Sequence, residues 1–218
     1  MLFRSILWSL EQTAKKYEDR VAVSDVNQEL TWKGLVKKAQ VIGAELSKKV
    51  QPGNPIPVLL EKSSETLAVM LGIVYAGCFY VPVNPMNPAE RLRKIMEKLE
   101  PEVIISDEKG KEQLEAVGVG LEEKVIGPET LLPTTGTDLS EEQRSKLKQI
   151  QGQWKETDAL YGIFTSGSTG TPKAIVVSHG AVSRFVRHFT EIFEITSEDV
   201  IGNQAPFDFD VSVKDIYS

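Results

Sequence analysis

From Leu67 to Val83 the chain reads LAVMLGIVYAGCFYVPV, seventeen residues without one charged side chain. A run this apolar has to be buried. Gly72, Gly77 and Pro82 interrupt it, so it divides into a buried helix and a buried strand and falls short of a membrane span. A helix and a strand that are both apolar all round belong to a sheet covered by helices on both faces, the setting of parallel β-structure.

The flanking sequence repeats the alternation. Thr31 caps a helix through about Lys49, with Leu35, Ala39, Ile42 and Leu46 on one stripe. Ile56–Leu60 is a compact strand, and Ser63 or Ser64 then caps the helix that runs to Ala76 and stops at Gly77. Phe79–Val83 is the next strand, followed by Asn84-Pro-Met-Asn-Pro, a helix over Pro88–Leu99 and a strand over Val103–Ser106. These elements predict an α/β fold with a mostly parallel sheet and helices packed on its faces. Residues 107–155 are polar and read as a surface excursion carrying one solvated helix after a Ser140/Gln143 capping box. The sheet resumes at Ala159.

With 218 residues, 41% of them hydrophobic and 26% charged, the chain has material for one large or two small domains. Its net charge of −6 argues against nucleic acid or an anionic membrane as the main partner. A single cysteine, Cys78, makes neither an internal disulfide nor a metal cluster, and fits a reducing cytoplasm. The start, MLFRSILWSLEQ, reads as an amphipathic helix and not as a signal peptide, since Arg4 breaks it and no small-residue cleavage site follows.

Between two strand-like runs, Ala159–Phe164 and Ala174–Val177, lies the sequence TSGSTGTPK, residues 165–173. Backbone N–H groups of a glycine-rich bend can converge on phosphate oxygens. Thr165, Ser166, Ser168 and Thr169 add hydroxyl donors, Gly167 and Gly170 allow close approach, and Lys173 adds a positive charge. A plain hairpin leaves the lysine and the density of hydroxyls unexplained. The Walker pattern fails because Pro172 and Ala174 flank the lysine, and the dinucleotide fingerprint fails because a second strand follows the loop.

TSGSTGTPK resembles the phosphate-binding signature of the adenylate-forming, or AMP-binding, superfamily, which holds acyl-CoA synthetases, luciferases and amino-acid adenylation domains. Three further stretches stand in the family's order. LTWKGL (30–35) is similar to its early helix signature, AGCFYVPVNPMNPAERLRKI (76–95) to its second signature, and NQAPFDFDVSVKDIY (203–217) to its Phe-Asp-x-Ser signature, here Phe209, Asp210 and Ser212. Ala174 departs from the family, which more often has glycine there.

The resemblance implies that residues 1–218 form a single truncated N-terminal portion of an adenylation domain, with the C-terminal half and mobile domain absent. It implies ATP with Mg2+ as cofactors and a two-step reaction. An amino acid becomes aminoacyl-AMP with release of pyrophosphate, and then passes to the phosphopantetheine thiol of a carrier protein. Thr165, Ser166, Gly167, Ser168, Thr169 and Gly170 would hold the phosphates, and Lys173 would anchor or charge-balance the loop. Asp210 would bind the substrate amino group and Phe209 would line its pocket.

No catalytic residue or metal ligand is expected within these residues, because the family's catalytic lysine lies in its C-terminal domain. The chain by itself is accordingly expected to be inactive. Similarity over 203–217 extends to D-alanine–carrier-protein ligases. Acyl- or aryl-CoA ligation and a non-catalytic nucleotide-binding module are the alternatives.

From the residues themselves, Asp210 among Phe207, Phe209 and Val211 would be costly to bury unless an ammonium met it, although it could equally cap a helix. His179 and His188 read as surface or capping histidines, Cys78 as a small buried hydrophobe, and Glu90–Lys94 as a solvated helix face.

Overall fold

The computed structural model describes residues 5–118, 120–132, 138–166 and 172–218. Helix α1 (Ile6–Lys16) starts where the Ser5 hydroxyl accepts from the Trp8 N–H at 3.1 Å. A small antiparallel hairpin follows, β1 (Val21–Ser24) and β2 (Glu29–Thr31). The Thr31 hydroxyl then caps α2 (Trp32–Leu46) by accepting from the Gly34 N–H at 3.1 Å. Next come β3 (Pro55–Leu59), α3 (Ser64–Tyr75, capped by Ser63), β4 (Phe79–Pro82), α4 (Ala89–Leu99) and β5 (Ile104–Ser106). After them stand α5 (Glu108–Val117), β6 (Val125–Ile126), α6 (Glu141–Gly152), β7 (Ala159–Ser166), β8 (Pro172–Ser178), α7 (His179–Ile192) and α8 (Ser212–Tyr217).

The main sheet has the order β6-β5-β3-β4-β7-β8. Its pairings are parallel except β7–β8, which is antiparallel. Successive strand residues face opposite sides. Tyr80 and Ile105 enter a core with α2 and α3, while their neighbours Val81 and Ile104 enter a second core with Leu92 and Met96 of α4 and Leu114 of α5. The sheet is thus covered on both faces, which is why the strands read as unbroken apolar runs.

Residues 107–155 do more than the expected surface excursion. They contain two helices, α5 and α6, and an edge strand, β6, that extends the main sheet. Leu114 and Leu131 are fully buried, and Leu147 and Ile150 of α6 are nearly so. Two residues of strand, and apolar side chains spaced singly among charges, give no period to read. The other expected strands and the helices over 63–76 and 88–99 stand within two residues of their places, whereas the helix from Thr31 ends three residues early at Leu46, α1 runs on to Lys16, and the β1–β2 hairpin stands outside the expected elements.

The hairpin is clipped to the body by one carboxylate. Asp25 accepts from the Asn27 and Gln28 N–H groups at 2.7 and 3.0 Å and from the Ser64 N–H, at the start of α3, at 2.7 Å. These backbone donors, the Ser64 one foremost, hold its pKa well below the carboxylate range.

Helices α2 and α3 meet through Gly43 and Gly72. A methyl added at Gly72 would lie 2.4 Å from Ile42 Cγ2 and 2.7 Å from Ile42 Cβ, and one at Gly43 would lie 2.4 Å from Tyr75 Cβ. In an open helix, glycine to alanine gains about 1 kcal/mol. Here overpacking outweighs that gain, at about 3 kcal/mol for a contact braced by backbone. Gly72→Ala is therefore expected to lower stability by about 2 kcal/mol, read as a lower urea midpoint at unchanged m-value. A raised midpoint would show that the two helices are free to separate.

Candidate functional site

Strands β3, β4 and β7 point their C-terminal ends the same way, and the segments that leave them gather at that edge. Brink positions at the ends of parallel strands are where α/β sheets place ligands. β7 ends at Ser166 and β8 begins at Pro172, with Thr165 opposite Lys173 in the antiparallel register. Both Thr165 and Lys173 are exposed. Of the expected phosphate-binding residues, Gly167, Ser168, Thr169 and Gly170 lie outside the described residues. Those described put the mouth of the loop at the surface, on the C-terminal edge.

Residues 203–211 cross the same edge. Beyond β3, Lys62 Nζ donates to the carbonyl oxygens of Asn203 and Ala205, the latter at 3.1 Å, and stands 5.9 Å from the Phe207 ring centroid. Asn203 Nδ2 donates to Asp215 Oδ2 at 3.0 Å, and Asp215 also pairs with Lys214. The Ser212 hydroxyl donates to the Phe209 carbonyl at 2.7 Å, tightening the turn into α8.

Under this segment lie three tyrosines. Tyr80 and Tyr217 share a hydroxyl–hydroxyl hydrogen bond of 2.9 Å, and the Tyr80 and Tyr161 rings stack with centroids 5.9 Å apart. Burial drives the Tyr80 phenol well above its usual pKa, so it stays neutral. Burial also raises Tyr161, and the nearby Asp210 charge adds to that. Asp210 therefore acts on a residue of β7 itself. Tyr161 and Thr165 are four positions apart, about 13 Å along an extended strand.

Two readings of the Asp210 turn change. Asp210 and Phe209 are exposed, Phe209 at 58%, so the carboxylate stands in water and is not enclosed by phenylalanines. Nor does its side chain cap α8. The residue before that helix is Val211, without a side-chain cap bond, and Asp210 offers only its backbone carbonyl to the Val213 N–H at 3.1 Å. Asp208 is the half-buried carboxylate. Burial raises its pKa, against the pull of its own backbone N–H and of Arg91.

Lys62 and Arg91 were not legible as site residues. Within Glu90–Lys94, Arg93 and Lys94 pair with Glu90, and Arg93 also with Glu97, as a solvated face does. Arg91 turns inward instead, its Nη2 donating to the Phe164 carbonyl at 3.1 Å. The available signal was position: Lys62 and Arg91 each follow the end of a parallel strand. Among the described residues no cluster of three His, Cys, Asp or Glu side chains could hold a metal ion, and no helix is long and apolar enough to cross a membrane.

His179 is not a surface residue. It is 2% exposed, donates its backbone N–H to the Asp158 carbonyl at 3.0 Å and lies against the Trp154 ring, centroids 5.0 Å apart. Burial pushes its pKa down to about 4, with Asp158 opposing. His188 is exposed, 3.7 Å from Glu191.

A family model described as "AMP-binding enzyme" matches residues 10–218. The chain is 30% identical to tyrocidine synthase 1 of Brevibacillus parabrevis over 98% of its own length and 19% of that protein's. It is 30% identical to a D-alanine–D-alanyl carrier protein ligase of Staphylococcus epidermidis, covering 95% of itself and 39% of the relative. Among solved structures, the AMPPNP-bound nonribosomal peptide synthetase FmoA3 superposes with a TM-score of 0.80 at 25% identity, over 98% of this chain and 21% of that one. VinN in complex with L-aspartate gives 0.82 at 21% identity, over 98% and 59%. The chain thus spans well under half the length of the curated relatives it matches.

The His179 shift has a consequence for stability. A histidine lowered from 6.5 to about 4 binds its proton more readily in the unfolded chain, so its contribution is complete above pH 6.5 and is lost as pH falls toward 4. Across that window the loss is about 3 kcal/mol. Urea midpoints at pH 7 and pH 4.5 should differ strongly in the wild type and much less in His179→Leu. Equal pH dependence in both would place the proton on the folded ring.

Proposed function

Because the chain belongs to the AMP-binding enzyme family, we propose that it supplies the ATP-phosphate and amine-binding parts of an amino-acid-adenylating ligase. The observation that supports this most is one sheet edge carrying both the mouth of a hydroxyl-rich loop, at Thr165 and Lys173, and an exposed carboxylate, Asp210, in the segment that Lys62 holds there by the Asn203 and Ala205 carbonyls. A substrate whose ammonium meets Asp210 would turn its carboxyl toward the loop, with the polyphosphate of ATP covering the rest of that edge.

In this reading Thr165, Ser166, Gly167, Ser168, Thr169 and Gly170 hold the polyphosphate of ATP. Lys173, on the strand that returns from the loop, balances its charge. The amino-acid carboxylate attacks the α-phosphate, and pyrophosphate leaves. Such displacements depend on positioning and charge neutralisation more than on covalent help from side chains. Asp210, exposed and free of ion pairs among the described residues, receives the ammonium by a charge-assisted hydrogen bond, and Phe209 beside it forms an apolar wall. Mg2+ would enter with the nucleotide and neutralise phosphate charge.

The acyl group then passes to the phosphopantetheine thiol of a carrier protein, forming a thioester as AMP leaves. D-Alanine is a named candidate substrate, from the relative that loads it. Asp210 favours an amino acid over fatty or aryl acids, which bring no ammonium. Residues 1–218 alone are proposed not to turn over.

The test is amino-acid-dependent exchange of pyrophosphate into ATP, by a polypeptide in which residues 1–218 continue through the family's remaining elements. Exchange with at least one amino acid is expected. Asp210→Ala should reduce it more than a hundredfold, about 3 kcal/mol, the lower end of the cost of orphaning one member of a buried pair, since this carboxylate starts out solvated. Exchange with no amino acid, D-alanine included, would overturn the reading, and a loss under tenfold would remove Asp210 from the amine site.

A further inference from the structure

The Asp210 segment is held to the body of the sheet by a lysine that lies outside all four signatures. Lys62 follows β3 and precedes the Ser63 cap of α3. Its turn is fixed on both sides. The Thr66 hydroxyl donates to the Glu61 carbonyl at 2.6 Å, the Ser63 hydroxyl accepts from the Thr66 N–H at 3.1 Å, and the Ser64 N–H donates to Asp25 at 2.7 Å. A long side chain is thus launched from a rigid base.

An exposed lysine normally leaves its ammonium in water, because ordering its stem has an entropic cost. Here two donors of the ammonium meet the carbonyls of Asn203 and Ala205, the latter at 3.1 Å. Beside them the Phe207 ring, 5.9 Å from Nζ to its centroid, packs on the main core. Among the described residues no other group outside 203–218 hydrogen-bonds to 203–211.

From Ala205 onward, short-range bonds carry that position to Asp210. The Pro206 carbonyl accepts from the Phe209 N–H at 3.2 Å. The Phe209 carbonyl accepts from the Ser212 N–H at 3.0 Å and from its hydroxyl at 2.7 Å, and the Asp210 carbonyl accepts from the Val213 N–H at 3.1 Å. Asn203 Nδ2 closes the segment by donating to Asp215 at 3.0 Å. A segment bonded to itself at both ends moves as one piece, so where its first carbonyls are held decides where Asp210 stands.

We propose that Lys62 is a positioning residue whose two bonds latch 203–211 to the end of β3 and so set where Asp210 meets the substrate ammonium. The role of Asp210 rests on the adenylation reading above. The latch itself is a property of the unliganded chain.

Hydrogen exchange followed by mass spectrometry on the 218-residue chain reads the latch. Lys62 is exposed, and Lys62→Met keeps an apolar stem without the donors. The change should speed exchange about fivefold at the bonded N–H groups of Phe209, Ser212 and Val213, the scale of one net hydrogen bond, and leave 64–75 and 159–166 unchanged. Unaltered exchange over 209–213, or equal loosening of all three regions, would overturn the proposal.

The split between the two substrates is a readout that a merely structural lysine would not move. In the polypeptide that continues through the family's remaining elements, Lys62→Met should raise KM for the amino acid about fivefold and leave KM for ATP unchanged. In an Asp210→Ala background the same change should cost under about twofold in kcat/KM, because Lys62 acts through Asp210. A matching rise in KM for ATP, or full additivity with Asp210→Ala, overturns the positioning role. A wild type that exchanges pyrophosphate with no amino acid counts instead against the ligase reading, and the hydrogen-exchange comparison still decides the latch.

Discussion

The length mismatch between β4 and β7 shapes the rest of the site. β4 has four residues and β7 has eight, so β7 runs past its parallel neighbour with backbone groups that the sheet does not satisfy. Buried or half-buried carbonyls do not stay unpaired in folded proteins. Side chains from the neighbouring crossovers fill the gap. Arg91, from the helix after β4, takes the β7 carbonyl at Phe164, while Lys62, from the turn after β3, holds the adjacent 203–205 segment by its Asn203 and Ala205 carbonyls. A notch beside an over-long strand, edged by cations, follows directly from where Pro82 stops the ladder.

The electrostatics of that notch run against those of the protein. The chain carries a net charge of −6, yet Lys62, Arg91 and Lys173 stand at one edge. Two of the three donate to backbone carbonyls, which spend a hydrogen bond without cancelling the charge. The carboxylates there are treated differently from one another. Asp208 is half-buried, its charge disfavoured by burial and favoured by its own backbone N–H and by Arg91, whereas Asp210 is exposed. An exposed carboxylate costs little to keep, so it is the better of the two to hold out for an incoming ammonium.

The sequence made the sheet legible because its central strands are buried on both faces and three of the helices start at a hydroxyl cap that the structure retains, at Thr31, Ser63 and Ser140. The loop and the Asp210 turn were legible through contiguous signatures. What periodicity could not show was β6, two residues long, and the inward half of α6, whose Leu147 and Ile150 are isolated among charges. Nor could it show Arg91 and Lys62, whose partners are backbone carbonyls 73 and 143 positions away. A backbone acceptor has no residue identity, so such contacts leave no pattern to find. His179 failed for a related reason. Its burial depends on Trp154, twenty-five positions earlier, meeting it at the β8–α7 junction.

Rigid and yielding parts are divided along the same line. α3 is buried along nearly its whole length and locked to α2 by glycines with no room for a methyl, so the body beneath the site has one packing. Beyond the β7–β8 ladder, the segments that would meet substrate are held by a few side-chain bonds from Lys62, Arg91, Asn203 and Ser212, each worth about 1–3 kcal/mol. A population can shift among states separated by that much when a ligand favours one of them, while the α2–α3 body cannot. The loop strand and the Asp210 turn are therefore free to adjust to a substrate, and the tyrosine layer beneath them, closed by the Tyr80–Tyr217 hydrogen bond, fixes the floor against which they adjust.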